Sequence, residues 1–250
     1  MEKYREYSAL INGIQVHARY TEENVRDIFL PLLRRLSAMQ RKKERRILVM
    51  LAAPPGAGKS TLADFLGALS RQEGTTPITV IGMDGFHRYQ EDLLSHTTVR
   101  EGREISLVQI KGAPETFDLA RLRERIQRAR AGENCGWPEY NRLLHNPVED
   151  ALTVQGDILL LEGNYLLLDR EGWRELAGLA DYTIRITADG EMLRERLVER
   201  KIKSGTDPEA ARRFVEFSDM ANVRECLEHT RRADLNLALE RDGWYKQIYS

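Results

Sequence analysis

From Ile47 onward the chain alternates short apolar runs with stretches of helical periodicity. The runs Ile47–Leu51, Ile78–Met83, Ile158–Glu162, Tyr182–Ile186 and Ala233–Leu239 read as strands. Runs such as "DILLLEG" are apolar without period-two alternation, the pattern of a strand buried on both faces. Helical spacing occupies Lys59–Leu69, Leu119–Ala131, Glu191–Lys203 and Pro208–Phe217. Strands alternating with helices predict an α/β fold: a parallel sheet of about five strands with helices on both faces.

A different pattern precedes this core. In "YSALINGIQVHARY", Asn12-Gly13 separates two β-prone runs and predicts a hairpin with a primed turn. Thr21 then fits a helix N-cap, and Val25, Ile28, Phe29, Leu32, Leu33 and Leu36 follow at helical spacing. Pro31 inside that series predicts a kink or a break. Residues 1–46 are therefore expected to form an N-terminal hairpin-and-helix layer, and 47–250 the main domain. The pieces His87–Pro114 and Gly132–Ala151 read as long polar connections, which in a compact α/β domain are usually functional or mobile.

Composition narrows the classes. The 250 residues are 42% hydrophobic and 31% charged with a formal net charge of −1, so the electrostatic footprint of a nucleic-acid binder is missing. The basic run "QRKKERR" (Gln40 to Arg46) fits a solvated joint between helix and strand. Cys135 and Cys226 lie far apart, which suits a reducing compartment and argues against a disulfide or zinc framework. The first ten residues hold no apolar h-region, and no apolar run approaches the ~18 residues of a membrane helix. The expectation is a cytoplasmic protein with no membrane partner.

One stretch carries explicit chemistry. "APPGAGKST" keeps the spacing of a phosphate-binding loop, with Ala53 in place of the first glycine, a position therefore not expected to need positive φ. Pro54 and Pro55 have no N–H, so the donors must come from Gly56, Ala57, Gly58, Lys59, Ser60 and Thr61, aided by the N-terminus of the following helix. Lys59 is expected to reach the β/γ-phosphates of ATP, and the Ser60 hydroxyl to ligate Mg²⁺.

Further strings follow in order: "MDGFH" from Met83, "KGAPETFD" from Lys111, "WPEYNRLLHNPVEDA" from Trp137 and "LLLEGNYLLL" from Leu159. With the cradle, they make the chain from Ile47 to about Leu239 resemble the P-loop kinase group of uridine kinase, bacterial pantothenate kinase and phosphoribulokinase. They are most similar to its branch of bacterial sugar- or nucleoside-kinase-like proteins. The resemblance implies a P-loop NTPase fold, ATP and Mg²⁺ as cofactors, a small-molecule acceptor and a lid near 191–222. It identifies the family well and the acceptor poorly.

The strings also have a physical reading. Asp84 should lie at the carboxyl end of a strand flanking the cradle strand, where a carboxylate can take or orient the proton of an acceptor hydroxyl. The rival is that Asp-Gly merely forms a turn. Glu162 ends an apolar strand and could hold Mg²⁺ directly or through its waters; its rival is a capping or salt-bridged glutamate. His87, Lys111, Tyr140, Arg142 and His145 lie on loops expected to cover the acceptor, though each alone reads equally as a surface residue. His145 and His229 are not spaced for metal binding with any partner. In the lid, Leu193 and Leu197 form an apolar edge while Arg196 and Arg200 share another face; Arg200 is ranked ahead of Arg196 as the catalytic arginine. Asp219 and Asn222, from "SDMANV", are expected to help order the site.

The reading is an ATP-dependent kinase acting on a hydroxyl of a sugar or nucleoside, with pantothenate-kinase-like activity as the alternative. A regulatory GTPase would need an Asn-Lys-x-Asp string, which is absent, and Asp-x-x-Gly occurs only as "DREG", too far past the strand end to reach Mg²⁺. A nucleotide-binding protein that engages a partner through its N-terminal layer stays open. The sequence leaves the oligomeric state open, a homodimer included.

Overall fold

The computed structural model describes residues 3–11, 14–100, 102–141 and 143–249. The chain opens with an antiparallel hairpin, β1 (Tyr4–Ile11) and β2 (Ile14–Thr21), in register from Tyr4↔Thr21 to Ile11↔Ile14. The expected Asn12-Gly13 turn lies outside the described residues. Thr21 caps α1 (Glu22–Asn24), its Oγ1 accepting from the Asn24 N–H at 3.0 Å. A π-helical turn (Val25–Phe29) leads directly into α2 (Leu30–Lys43). The chain therefore does not break at Pro31, which falls in the first turn of α2, where a missing N–H costs little.

The central sheet is built from β3 (Ile47–Ala52), which feeds α3 (Lys59–Gln72), and from β4 (Ile78–Gly82). After β4 come α4 (Gln90–Ser95), a small hairpin of β5 (Thr97–Arg100) and β6 (Arg103–Ser106), and α5 (Leu119–Arg130). A second hairpin, β7 (Gly136–Asn141) and β8 (Asn146–Thr153), precedes β9 (Ile158–Gly163) and α6 (Trp173–Ala177). Next are β10 (Tyr182–Ala188), α7 (Gly190–Lys203), α8 (Pro208–Phe214), a π-helical turn (Val215–Asp219) and α9 (Met220–His229). The chain closes with β11 (Leu235–Leu239) and β12 (Tyr245–Gln247).

The strand order is β12-β11-β10-β3-β9-β4, parallel except for the antiparallel edge strand β12. The five expected strands are all present. The three-residue β12 was not expected, because it presents one buried side chain, Tyr245, and no apolar run. Two further expectations are corrected. The strand that ends before Asp84 does not flank the cradle strand: β9 lies between β3 and β4. Every residue of β9 is buried, so it belongs in the middle, whereas β4 is half-covered and suits the edge. The two long polar connections are also not plain loops. They fold into the β5–β6 and β7–β8 hairpins, in which partly exposed and polar residues alternate without a continuous apolar run, although β7 buries Trp137.

Two cores sandwich the sheet. On one side Tyr20, Phe29, Phe65 and Tyr245 join the hairpin, α2, α3 and β12, with Tyr20 stacked on Phe65 at 4.2 Å. On the other side Phe86 and Trp137 form an edge-on pair, and Phe117, Tyr165 and Trp173 a mutually edge-on triad. At the amino ends of the strands the Asp181 carboxylate, 1% exposed, accepts from Arg45, Lys43 and the Leu48 N–H. No helix among the described residues is long and apolar enough to cross a membrane.

Candidate active site

The cradle lies between β3 and α3. Gly56 (φ 83°) and Gly58 (φ 74°) take left-handed backbone that an L side chain rarely adopts, while Ala53 does not, so its substitution for glycine is without strain. The Ala57 N–H turns back to the Pro54 carbonyl at 3.3 Å. The Leu62 N–H donates to the Gly58 carbonyl at 3.0 Å, so the Lys59, Ser60 and Thr61 N–H groups have no intrahelical acceptor and converge at the positive end of α3. These are the donors of an anion site.

Register places a carboxylate beside it. Leu51 of β3 and Gly82 of β4 are both level with Glu162 of β9. The Ser60 Oγ–H donates to Glu162 Oε1 at 2.8 Å, and Lys59 Nζ stands 3.8 Å from Glu162 Oε2. Glu162 is 6% exposed. Burial pushes its carboxyl above the usual range, Lys59 opposes that shift, and the charge of Asp84 adds to it. Among the described residues its Oε2 is buried without a hydrogen-bond partner. A buried, unsatisfied carboxylate oxygen next to a hydroxyl and an anion site fits Mg²⁺, which keeps most of its shell as water and phosphate oxygens. No cluster of three or more His, Cys, Asp or Glu fit to hold a metal occurs among the described residues, so a dedicated all-protein cage is absent.

Asp84 opens a 3₁₀ turn (Asp84–Phe86) directly after β4, and the ladder runs on as the Met83 N–H donates to the Glu162 carbonyl. The turn is held from behind. A Cβ on Gly85 would sit 1.9 Å from the Pro138 carbonyl oxygen, so close approach of β7, not positive φ, demands this glycine. Trp137 secures the same seam by donating its Nε1–H to the Gly82 carbonyl at 2.8 Å. Asp84, Ser60, Glu162 and Tyr140 thereby line one cleft of about 250 Å³.

The other expected residues are distributed unevenly. His87 is buried, stacked on Phe117 at 4.0 Å and edge-on to Tyr140 at 5.2 Å; burial lowers its pKa, and its Nδ1 has no partner among the described residues. Lys111 lies over the Tyr140 ring at 5.0 Å, and its ammonium donates to Gln90 Oε1 and the His145 carbonyl, so it straps the β7–β8 hairpin to α4. Arg142 lies outside the described residues. In the lid, Leu193 and Leu197 pack on the cradle, where a Cβ on Gly56 would meet Leu197 Cγ at 3.2 Å. Because that contact seats the first half of α7, Arg196 lines the groove beside Gly58 and Thr61, while Arg200, one turn further on, is exposed. The ranking of the two arginines is thus reversed in position. Arg200 instead lies in electrostatic reach of Asp219, whose carboxyl burial pushes up, and Asn222 is buried opposite Gly112.

Sequence reasoning did not single out Asp64, Glu139, Leu10 or Ile11, which all line the Asp84 cleft. Asp64 had a signal, since it follows Ser60 by one helical turn. The others are joined to the cleft only by tertiary packing.

The comparisons agree with this geometry. Residues 48–242 match the model of the Phosphoribulokinase / Uridine kinase family. YggC, an uncharacterized protein of Escherichia coli K12, is 42% identical over 94% of this chain and 96% of its own. A pantothenate kinase of Shewanella loihica is 27% identical over 80% of this chain and 69% of its own. Among solved structures, a Silicibacter sp. TM1040 protein provisionally named a fructose transport system kinase superposes with a TM-score of 0.70 at 32% identity, covering 80% of this chain and 98% of that one. The chain belongs to the phosphoribulokinase/uridine kinase family, and a phosphotransferase function follows from that membership.

Proposed function

We propose that this member of the phosphoribulokinase/uridine kinase family transfers the γ-phosphoryl of ATP to a hydroxyl of a small sugar or nucleoside. The observation that carries the reading is the shared cleft of about 250 Å³, lined by Asp84, Ser60 and Glu162 together. In the reaction the acceptor oxygen bonds to the γ-phosphorus, the bridging oxygen–phosphorus bond breaks, and ADP leaves with the electron pair. Asp84 takes the hydroxyl proton and later yields it to water.

The N–H groups of Gly56 and of Gly58 through Thr61 hold the phosphates, the Ala57 N–H being turned to the Pro54 carbonyl, and Lys59 follows the charge as it moves to the β/γ bridge. Ser60 and Glu162 would hold Mg²⁺, which neutralises phosphate charge when bound. Arg196 sits nearest the cradle as the lid's contribution, and the lid excludes water from the transfer. Tyr140 forms the aromatic side of the acceptor region, with His87 packed against its ring outside the cleft lining and Lys111 bracing it. The same proposal divides the chain into an added layer, 1–46, and a kinase body, 47–250, consistent with a family match that begins at residue 48.

The test is ADP production by the full chain with ATP-Mg²⁺, alone and with a panel of hexoses, nucleosides and pantothenate. One hydroxyl compound should stimulate turnover strongly. Equal turnover with water alone and with every compound would refute acceptor-directed transfer.

A further inference from the structure

The charge lining the acceptor cleft is one-sided. Asp64, Asp84, Glu139 and Glu162 all border it, and no lysine, arginine or histidine does so among the described residues. Of these four, only Glu162 has a cation within 4.0 Å among the described residues, Lys59. Asp64 accepts the Tyr7 hydroxyl at 2.5 Å, a contact that leaves its charge intact, and no ion pair neutralises Asp64, Asp84 or Glu139 among the described residues. The neighbouring cations are turned to other work: Lys111 behind the Tyr140 ring, and Arg121 and Arg125 on Glu149 and Asp150. Metal with nucleotide phosphates would offset the charge at Glu162 but not at the far wall.

The cleft also has an apolar lining. Leu10, 71% exposed, and Ile11 border it from the N-terminal hairpin, together with Val80 and Leu152. The hairpin is fixed in that position by the Tyr7–Asp64 hydrogen bond and by Tyr7 and Tyr20 against Phe65. It lies outside the 48–242 segment that the family shares, so its part of this lining is an addition to the common kinase body.

We infer that the acceptor is a hydroxyl compound with no negatively charged group, neutral or ammonium-bearing, whose apolar edge rests on the hairpin tip at Leu10 and Ile11. This rests on the phosphotransfer reading above. A carboxylate or phosphate on the acceptor would stand against Asp64 and Glu139 with no counter-cation, and like charges so placed are strongly discriminating.

The experiment uses matched acceptors with the full chain and ATP-Mg²⁺: pantothenol against pantothenate, glucose and glucosamine against gluconate, and uridine against uridine monophosphate. Binding of the same compounds to the ADP-Mg²⁺-loaded chain is measured by calorimetry as a readout independent of turnover. The uncharged or ammonium member of an active pair should exceed its anionic counterpart by ~100-fold or more in kcat/KM, with the same order in binding. Glu139→Lys should shrink that ratio about tenfold, and Leu10→Ser should raise the acceptor KM about tenfold while the KM for ATP stays put. An anionic member that binds and reacts as well as its neutral partner overturns this inference and leaves the kinase reading standing. If no compound of any charge binds or raises ADP output above the water control, the kinase reading fails and this inference falls with it.

Discussion

Replacing Asp84 with asparagine isolates the proposed proton acceptor. The change keeps size and shape and removes one charge. The surrounding turn should hold, because it is built from backbone: Met83 N–H to the Glu162 carbonyl, Phe86 N–H to the Met83 carbonyl, and Gly85 against Pro138. Asp84 is only half-buried and has no ion pair among the described residues, so the stability change should stay within ~0.5 kcal/mol. Loss of a general base lowers kcat by about 10²–10⁴, which at 1.36 kcal/mol per decade is ~2.7–5.5 kcal/mol of transition-state stabilisation. Nucleotide affinity should not fall, since the change removes one negative charge from the neighbourhood of the phosphates and leaves the cradle donors, Lys59 and Glu162 in place. The assay pairs kcat on the acceptor found by the panel with ADP-Mg²⁺ binding by calorimetry. A kcat loss below about tenfold (~1.4 kcal/mol) refutes the base assignment. A parallel collapse in nucleotide affinity would instead make Asp84 part of the metal shell.

Three other substitutions probe the cradle and its supports. Lys59→Ala removes a charged donor from the phosphates in ground and transition states alike, so nucleotide affinity should drop about tenfold or more along with kcat/KM; unchanged ADP binding by calorimetry would contradict this. Gly85→Ala places a methyl 1.9 Å from the Pro138 carbonyl oxygen, an overpacking that should cost ~1–3 kcal/mol or more in urea unfolding; wild-type stability would show the β7 contact to be wrong. Asp181→Asn breaks the Lys43–Arg45–Asp181 cluster and, since the two cations left behind are each 38% exposed, should cost ~1.5–3 kcal/mol at pH 7. Burial works to raise the Asp181 pKa, but hydrogen bonds from Arg45, Lys43 and the Leu48 N–H hold it well below the usual carboxylate range. A depressed folded-state pKa gives stability that is full above the unfolded value, about 3.9, and is lost as pH falls towards the folded one. The wild type should therefore lose this contribution below about pH 4, and the variant should have none to lose there; parallel acid limbs for the two proteins would disprove it.

What the sequence made legible is what is local. β3 and β9 are visible as apolar runs, and the cradle is visible because glycines, lysine and serine must follow in that spacing on the way from strand to helix. Strand order was not legible, because it depends on which run has enough apolar surface to fill both faces, a comparison between segments about 80 residues apart. The acidic wall was illegible for a related reason. Asp64 belongs to the phosphate helix, Asp84 to a turn and Glu139 to a hairpin; Asp84 was legible from its motif, but Asp64 and Glu139 each alone look like a solvated acid. The placement of β9 brings them together. With β4 next to β3, Asp84 would stand directly beside the cradle and Glu162 would lie outside. With β9 between, Glu162 sits level with both Leu51 and Gly82, bonded to Ser60 on one side and under the electrostatic influence of Asp84 on the other. A one-residue slip of β9 would turn that carboxylate to the opposite face of the sheet, among Met50, Phe86 and Trp137, where nothing could use it. The proposed division of labour between a residue for the metal and a residue for the proton thus rests on strand order and register, which the uniformly buried run "ILLLEG" imposes.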